Sequence, residues 1–233
     1  MTGVLPDGVS SLIYLKGFFE DGLTRMVMER VDEGMTFLDI GAHCGYFSVL
    51  ASDIVGERGQ VHSFEPTKSI FEVLSENAKR RGNITANNIA VFSRKGELEF
   101  KDFGIRYSAF NSLKEPKLNL GNESAYQRIK IRAITVDEYV KEKGIRPDFV
   151  KIDAEGAELE ILKGMERTIA EFRPAITLEV SADEDSASKN SVEYLVARGY
   201  APYHYENGKL RAHKVQEKYG YDNILFIAKE KIK

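Results

Sequence analysis

An acid and two glycines at the end of an apolar run are the most informative residues in this chain. Asp39 lies within that run, and Gly41 and Gly45 follow it. Where such a strand meets a helix in an α/β protein, the free N–H groups of the helix end bind negative groups of a ligand. A second acid, Glu65, ends the next apolar run and is placed to accept hydrogen bonds from ribose hydroxyls. This spacing predicts a site for a nucleoside cofactor.

A third group of acids lies at another predicted strand-to-helix turn. Capping of the helix N-terminus explains Glu155 and Glu158, because acids favour that end. It explains Asp153 less well, because Asp153 follows a largely apolar run and points to the sheet edge where ligands bind. We therefore predict a role in the chemistry for Asp153. Such a cluster can also hold a divalent metal, but nothing in the sequence indicates one, and we expect no metal site.

Alternating strand and helix patterns place these residues in an α/β fold. We expect a Rossmann-like, doubly wound and mostly parallel sheet of seven strands with an antiparallel C-terminal strand. A third strand is expected over residues 84–91. Residues 96–134 differ, because they alternate apolar and polar positions around a polar loop at 104–127. That pattern predicts a small antiparallel insertion.

The length of 233 residues suits one domain with a full core. We predict a single domain over residues 1–233, in which 1–35 form an N-terminal arm and helix and 96–134 carry a substrate loop. Arg128, Lys130 and Arg132 are spaced by two residues in the insertion. This spacing predicts one solvated strand face, with contact to an anionic substrate as the alternative.

Composition excludes several classes of protein. A net charge of -3 gives no reason to expect nucleic acid as a partner. The single cysteine, Cys44, excludes an internal disulfide, and we expect it to be a small buried residue. The sequence shows no signal peptide pattern and no apolar stretch near the ~20 residues that a membrane helix needs. We expect a cytoplasmic protein with no membrane span, and its oligomeric state, with a homodimer as one alternative, stays open.

The glycine loop also indicates which cofactor fits. A dinucleotide site needs three glycines in a fixed pattern, and here only Gly41 and Gly45 are present. The preceding Asp39 would repel a pyrophosphate, but it suits a ligand with a positively charged amine. S-adenosylmethionine (SAM) has an ammonium for Asp39, a carboxylate for the helix end and a ribose for Glu65. The sequence therefore predicts a SAM site.

Three segments together resemble a known family. The segments are Asp-Ile-Gly-Ala-His-Cys-Gly-Tyr-Phe-Ser at 39–48, Phe-Glu-Pro at 64–66 and Val-Lys-Ile-Asp-Ala-Glu-Gly-Ala-Glu at 150–158. They are similar to the signature motifs of FkbM-type methyltransferases, which are class I enzymes that convert SAM to S-adenosyl-L-homocysteine. The resemblance implies O-methylation of a hydroxyl on a sugar, glycolipid or natural product, with a small molecule or glycan as acceptor.

The resemblance and the motif spacing together assign the candidate site residues. The expected cofactor-binding residues are Asp39, Gly41, Ala42, His43, Gly45, Tyr46, Glu65, Asn88, Ala90 and Asp153. The expected catalytic base is Asp153, with His43 and Glu155 as alternatives. The expected substrate residues are Ser112, Glu158 and Glu179. Two positions depart from the family pattern: His43 stands where Asn is frequent, and Val180 and Ser181 follow Glu179 where a histidine is frequent.

Two other functions stay open at this point. One is a methyltransferase that uses an amine or a protein as acceptor, and the other is a non-catalytic Rossmann-like module that only binds the cofactor. The sequence contains no Asn/Asp-Pro-Pro-Tyr motif and no Pro-Cys nucleophile. These absences argue against methylation of DNA bases.

Overall fold

The structure is a computed structural model, and it describes residues 1–3, 8–104, 111, 126–181 and 187–232. Its helices are α1 (Gly8–Lys16), α2 (Asp21–Arg30), α3 (Tyr46–Val55), α4 (Lys68–Lys79), α5 (Val136–Lys143), α6 (Glu158–Lys163), α7 (Glu166–Phe172) and α8 (Ala187–Ala197). Its strands are β1 (Thr36–Ile40), β2 (Gln60–Phe64), β3 (Ile84–Asn87), β4 (Ala90–Val91), β5 (Gly96–Asp102), β6 (Gln127–Ile134), β7 (Phe149–Ile152), β8 (Ala175–Val180), β9 (Tyr200–Glu206), β10 (Lys209–Ala212) and β11 (Asp222–Ala228).

The main sheet has eight strands in the order β10-β9-β11-β8-β7-β1-β2-β3. Parallel pairing joins five neighbours of this sheet, β8, β7, β1, β2 and β3. Strand β11 is antiparallel to both β8 and β9, which confirms the expected antiparallel C-terminal strand. The sheet has one strand more than predicted. The reason is the Asn207–Gly208 turn, which returns β10 along β9 and so extends the sheet at that edge.

Helices cover both faces of this sheet, as a doubly wound fold requires. One apolar core joins Leu38 and Ile40 of β1 to side chains of α5, α6, α7 and α8. The other joins Phe37 of β1 and Phe149 of β7, whose rings stack at 5.2 Å, to side chains of α2 and α3. Successive residues of β1 thus point into different cores, and this is why the strand reads as a continuous apolar run.

The predicted strand over residues 84–91 is wrong as a single element. Asn88 and Ile89 interrupt it, so that β3 ends the main sheet and β4 joins a separate three-stranded sheet of order β4-β6-β5. The predicted insertion at 96–134 is confirmed, because its strands β5 and β6 are antiparallel, and β4, which precedes it, pairs with β6 in parallel. The predicted N-terminal arm also contains a helix, α1.

The basic face of β6 is solvated, as its spacing predicted. Arg128 lies 3.9 Å from Glu99, and Lys130 lies 3.6 Å from Glu97, and all four side chains are largely exposed. These cross-strand pairs account for both cations without a ligand. Within the described part of the chain, no helix combines the length and apolar character needed to cross a membrane.

Candidate active site

A cavity of about 300 Å³ opens at the carboxyl ends of the central strands, where α/β sheets bind ligands. It lies between the glycine loop after β1 and the acidic turn after β7. Its wall contains the loop residues from Gly41 to Cys44, Glu65 after β2, Ala90 of β4, Asp153 and Glu155 after β7, and Glu179 of β8. The structure therefore brings most of the sequence-predicted residues around one space.

Gly41 allows the two central strand ends to approach each other. A Cβ at this position would lie 1.7 Å from the carbonyl oxygen of Asp153, and the φ of +73° is one that side chains rarely adopt. The N–H groups of Gly41 and Ala42 donate to the carbonyl oxygen of Phe64 at 3.1 and 3.0 Å. The loop is thus held against both β2 and β7, and its shape depends on the glycine.

The loop ends at Gly45, which precedes α3 with a φ of 89°. His43 also has a positive φ, 50°, and its N–H donates to Glu65 Oε2 at 3.2 Å. Tyr46 at the first turn of α3 lines the cavity, and its hydroxyl lies 3.2 Å from Thr24 Oγ1. Cys44 is buried, as predicted.

Glu65 is almost fully buried at the end of β2, on the cofactor-loop side of the cavity. It accepts hydrogen bonds from the N–H groups of Thr67 at 2.8 Å and His43 at 3.2 Å. Burial nonetheless raises the pKa of Glu65 to about 7, because the carboxylate loses more hydration than these bonds return. The group is therefore poised to change charge near neutral pH.

Asp39 does not reach the cavity wall, although the sequence predicted that it faces the cofactor ammonium. Its side chain is fully buried, accepts a hydrogen bond from Ser48 at 2.6 Å and lies 3.4 Å from the ammonium of Lys151. The parallel register of β1 and β7 pairs Asp39 with Lys151 and turns both to the same face of the sheet. Lys151, not Asp39, is the residue of this pair that reaches the cavity.

Carboxyl groups crowd the opposite half of the cavity. Oxygens of Asp153, Glu155 and Glu179 lie within 4.8 Å of one another, a spacing that acidic groups commonly show without a metal ion. Glu155 is exposed as a residue, but its carboxyl group lies among these acids. Loss of hydration and the charge of Asp153 raise the pKa of Glu155 to about 8. Burial and the same charge raise the pKa of Glu179, whose carboxyl lies beside that of Asp153.

Four other predicted residues, Gly45 among them, lie away from this wall or outside the described chain. Glu158 is buried and accepts hydrogen bonds from the N–H groups of Ala154 and Gly156, both at 3.1 Å, so it stabilises the turn before α6. The amide of Asn88 donates to the carbonyl oxygens of Glu65 and Pro66 at 2.9 and 3.0 Å and holds the loop after β2. Ser112 lies outside the described residues.

Among the cavity residues that the sequence analysis did not assign to the site, three have charged or phenolic side chains. They are Glu20, Lys151 and Tyr221. The sequence could have indicated Lys151, because a lysine within a buried strand needs a neighbouring anion. The hydrogen bond from Tyr221 to Glu20 joins residues 201 positions apart, so no local pattern could reveal it.

Backbone strain is concentrated at this cavity. Among the described non-glycine residues with positive φ, Glu20, His43 and Glu155 all line it, with φ of 47°, 50° and 48°. Glu20 occupies the N-cap position of α2 but makes no capping hydrogen bond. Its carboxylate accepts instead from Tyr221 and Asn223. Strained residues of this kind cluster at functional sites.

Comparison with known proteins places this site in a family. The family model described as "Methyltransferase FkbM domain" matches residues 39–211, which include the glycine loop, Glu65, the acidic turn after β7 and Glu179. The chain belongs to the FkbM methyltransferase family. This membership confirms the family that the sequence motifs predicted.

A curated relative of this FkbM-family chain is the hexuronic acid methyltransferase AglP of Haloferax volcanii. The two are 27% identical over 168 residues, which cover 71% of this chain and 64% of the relative. The chain thus spans less than two thirds of the length of that relative.

Solved structures share the fold. Methyltransferase FkbM from Methylobacillus flagellatus KT has a TM-score of 0.53 at 16% identity, covering 94% of this chain and 52% of its own. Aeropyrum pernix fibrillarin, crystallised with natively bound SAM, has a TM-score of 0.51 at 14% identity, covering 93% and 73%. Both likenesses confirm the predicted Rossmann-like α/β class.

Proposed function

We propose that this chain is a SAM-dependent O-methyltransferase that acts on a hydroxyl group of a sugar, a glycolipid or a natural product. One observation supports this more than any other: Asp153 and the glycine loop line the same cavity, at the ends of the neighbouring strands β7 and β1. A carboxylate in that place can accept a proton from an acceptor bound opposite the methyl donor. The hexuronic acid methyltransferase of Haloferax volcanii supports a carbohydrate as the class of acceptor; its name indicates a sugar acid, whereas the carboxyl-lined cavity of this chain favours a neutral sugar.

The residues of the first half of the cavity fit SAM. Gly41 leaves room for the loop because a Cβ there would collide with Asp153. Glu65 has carboxylate oxygens on the side of β2, suited to ribose hydroxyls, and the apolar side chains of Ile89 and Ala90 suit an adenine ring. Positive charge on the donor suits the surplus of carboxyl groups in the cavity. We assign cofactor binding to these residues, and Asp39 to a supporting place behind them.

Methyl transfer to a hydroxyl requires that the acceptor is oriented toward the methyl group and that one residue accepts the hydroxyl proton. SAM supplies a methyl group on a sulfonium; the new C–O bond forms as the C–S bond breaks, and the bonding electrons stay on sulfur. The hydroxyl proton becomes strongly acidic as its oxygen is methylated, so even a modest base can remove it. We assign that role to Asp153, whose side chain is 23% exposed and opens on the cavity.

The acid-lined half favours an acceptor without a negative charge. The charge of Asp153 already helps to raise the pKa values of Glu155, Glu179 and Glu20, so a further anion would meet unfavourable electrostatics. Carboxyl groups beside the aromatic ring of Tyr221 suit the hydroxyls and apolar face of a neutral sugar. The same carboxylates also favour a second candidate, an amine acceptor, which they would hold as an ammonium.

A matched acceptor panel separates these possibilities. Calorimetry should first show binding of SAM and S-adenosylhomocysteine to the full chain; absence of both would contradict the proposed enzyme. Labelled-methyl SAM is then supplied with methyl glucoside, methyl glucuronide and methyl glucosaminide, which differ in one group. We expect label on the hydroxyls of the glucoside in preference to the glucuronide. Label on the nitrogen of the glucosaminide alone would favour the amine-acceptor alternative.

The ionisation of Glu65 should make SAM binding depend on pH. Its pKa is raised to about 7, so the carboxylate that accepts from ribose hydroxyls forms as pH rises through that value. If only the ionised form binds, affinity for SAM should be about tenfold weaker at about pH 6 than at about pH 8. Calorimetry across this range measures the effect.

The control for this pH dependence is Glu65→Gln, which keeps the shape of the side chain and cannot ionise. This variant should bind SAM more weakly than the wild type at about pH 8, and its affinity should be flat across the range. A wild-type profile that is equally flat would contradict the assigned role of Glu65.

Other sequence predictions stay predictions. They concern the single domain over residues 1–233, the cytoplasmic location, the absence of a nucleic-acid partner and the homodimer alternative.

A further inference from the structure

Lys151 is a buried cation at the centre of the site. It is 2% exposed and belongs to β7, a strand in which every residue is buried. Its ammonium donates to the carbonyl oxygen of Gly41 at 2.8 Å and lies 3.1 Å from Asp153 Oδ2 and 3.4 Å from Asp39 Oδ1. A lysine in this position is stable only when anions and acceptors replace its lost hydration.

The two anionic partners of Lys151 have different surroundings. Asp39 is fully buried and fixed by the hydroxyl of Ser48 at 2.6 Å. Asp153 opens on the cavity instead. Asp39 therefore holds the ammonium from behind, and the ammonium in turn holds Asp153 at the edge of the reaction space.

Asp153 has a second partner that makes this contact important. An oxygen of its carboxyl and an oxygen of the Glu179 carboxyl lie within 4.8 Å of each other. Two carboxyl groups this close favour a state in which one of them keeps a proton, and the group nearer a cation gives it up. Burial would lower the pKa of Lys151, but the charges of Asp153, Asp39 and Glu20 outweigh burial and raise it, so the ammonium stays charged.

We propose that Lys151 is a positioning residue that keeps Asp153 ionised and aimed at the acceptor, and that leaves the proton of the pair on Glu179. The two carboxyl groups then have different roles: ionised Asp153 accepts the proton of the acceptor, and protonated Glu179 donates a hydrogen bond. The inference rests on the proposed role of Asp153 in methyl transfer, but its test does not need an acceptor. The other titratable groups that face Lys151 or Asp153 are Glu20, Glu65, Glu155, Glu158 and Tyr221.

Carbon-13 NMR of side-chain carboxyl groups in the full chain tests the proton's position directly. Asp153→Asn and Glu179→Gln assign the two signals by their loss. Between about pH 6 and about pH 8, we expect Asp153 to give the signal of a carboxylate and Glu179 that of a carboxylic acid. The opposite assignment would overturn the inference without any change at Lys151.

The variant test removes the ammonium of Lys151 together with the carboxylate of Asp39, so that the net charge of the buried cluster does not change. Lys151→Met alone leaves Asp39 and Asp153 without their cation and risks unfolding, so it is combined with Asp39→Asn. In the double variant at about pH 7, the Asp153 signal should move from that of a carboxylate toward that of a carboxylic acid. Asp39→Asn alone retains Lys151 and should leave the Asp153 signal as it is in the wild type.

The two hypotheses fail in different ways. If the Asp153 signal of the folded double variant stays that of a carboxylate, as in the wild type, Lys151 only fills space and the inference is wrong. If the signals behave as expected but the wild-type chain methylates no hydroxyl, the proposed function is wrong and the placement of the proton stands. Circular dichroism confirms that each variant is folded.

Discussion

Replacement of Gly41 by alanine should destabilise the chain by roughly 3 kcal/mol or more and abolish SAM binding. The added Cβ would lie 1.7 Å from the carbonyl oxygen of Asp153. That oxygen cannot move away without a cost in free energy, because the N–H of Asp153 donates to the carbonyl oxygen of Ile40 at 3.1 Å and fixes β7 against β1. Urea denaturation measures the loss of stability, and calorimetry at low temperature measures the loss of SAM binding.

Gly208 offers a matched control for this substitution. Its φ of +75° is close to that of Gly41, but a Cβ at this position would meet nothing within 4 Å. Gly208→Ala therefore carries only the conformational strain, about 1–2 kcal/mol, and should leave SAM binding intact. If Gly41→Ala costs no more than Gly208→Ala, the close approach of the two strand ends is not the constraint that we describe.

Replacement of Asp153 by asparagine should lower methyl transfer by about a hundredfold to ten-thousandfold. The amide keeps the shape of the side chain but cannot accept the hydroxyl proton. SAM affinity should change little, because the residues assigned to the ribose and adenine lie on the other side of the cavity. Single-turnover transfer of labelled methyl to the best acceptor of the panel, at saturating SAM, measures the effect.

Glu155→Gln is the matched comparison, since it makes the same carboxyl-to-amide change within the same cluster. Glu155 was one of the two alternative bases, with His43, and its pKa of about 8 leaves much of it protonated at neutral pH. We expect the smaller loss of turnover in this variant. A larger loss in Glu155→Gln than in Asp153→Asn would transfer the role of base to Glu155.

Features set by neighbouring residues were predicted well. The alternation of strands and helices appears as expected, and the capping box of Thr135 and Glu138 at the start of α5 is a feature that four adjacent residues encode. Short-range sterics and hydrogen bonds encode these features, so a few adjacent residues are sufficient to read them. The break of residues 84–91 into two strands was not readable, because it depends on which sheet each half joins.

The sequence by itself determined the α/β class, the glycine loop, the acid after β2 and the acidic turn after β7, and with them the family. Only the tertiary structure decided which of these side chains meet in the cavity. The register of β1 against β7 buried Asp39 beside Lys151, and backbone contacts turned Glu158 and Asn88 away. Tyr221 joined Glu20 across the length of the chain. The physical reason is that residue type and spacing fix local geometry, whereas the direction of a side chain depends on strand register and on contacts between distant segments.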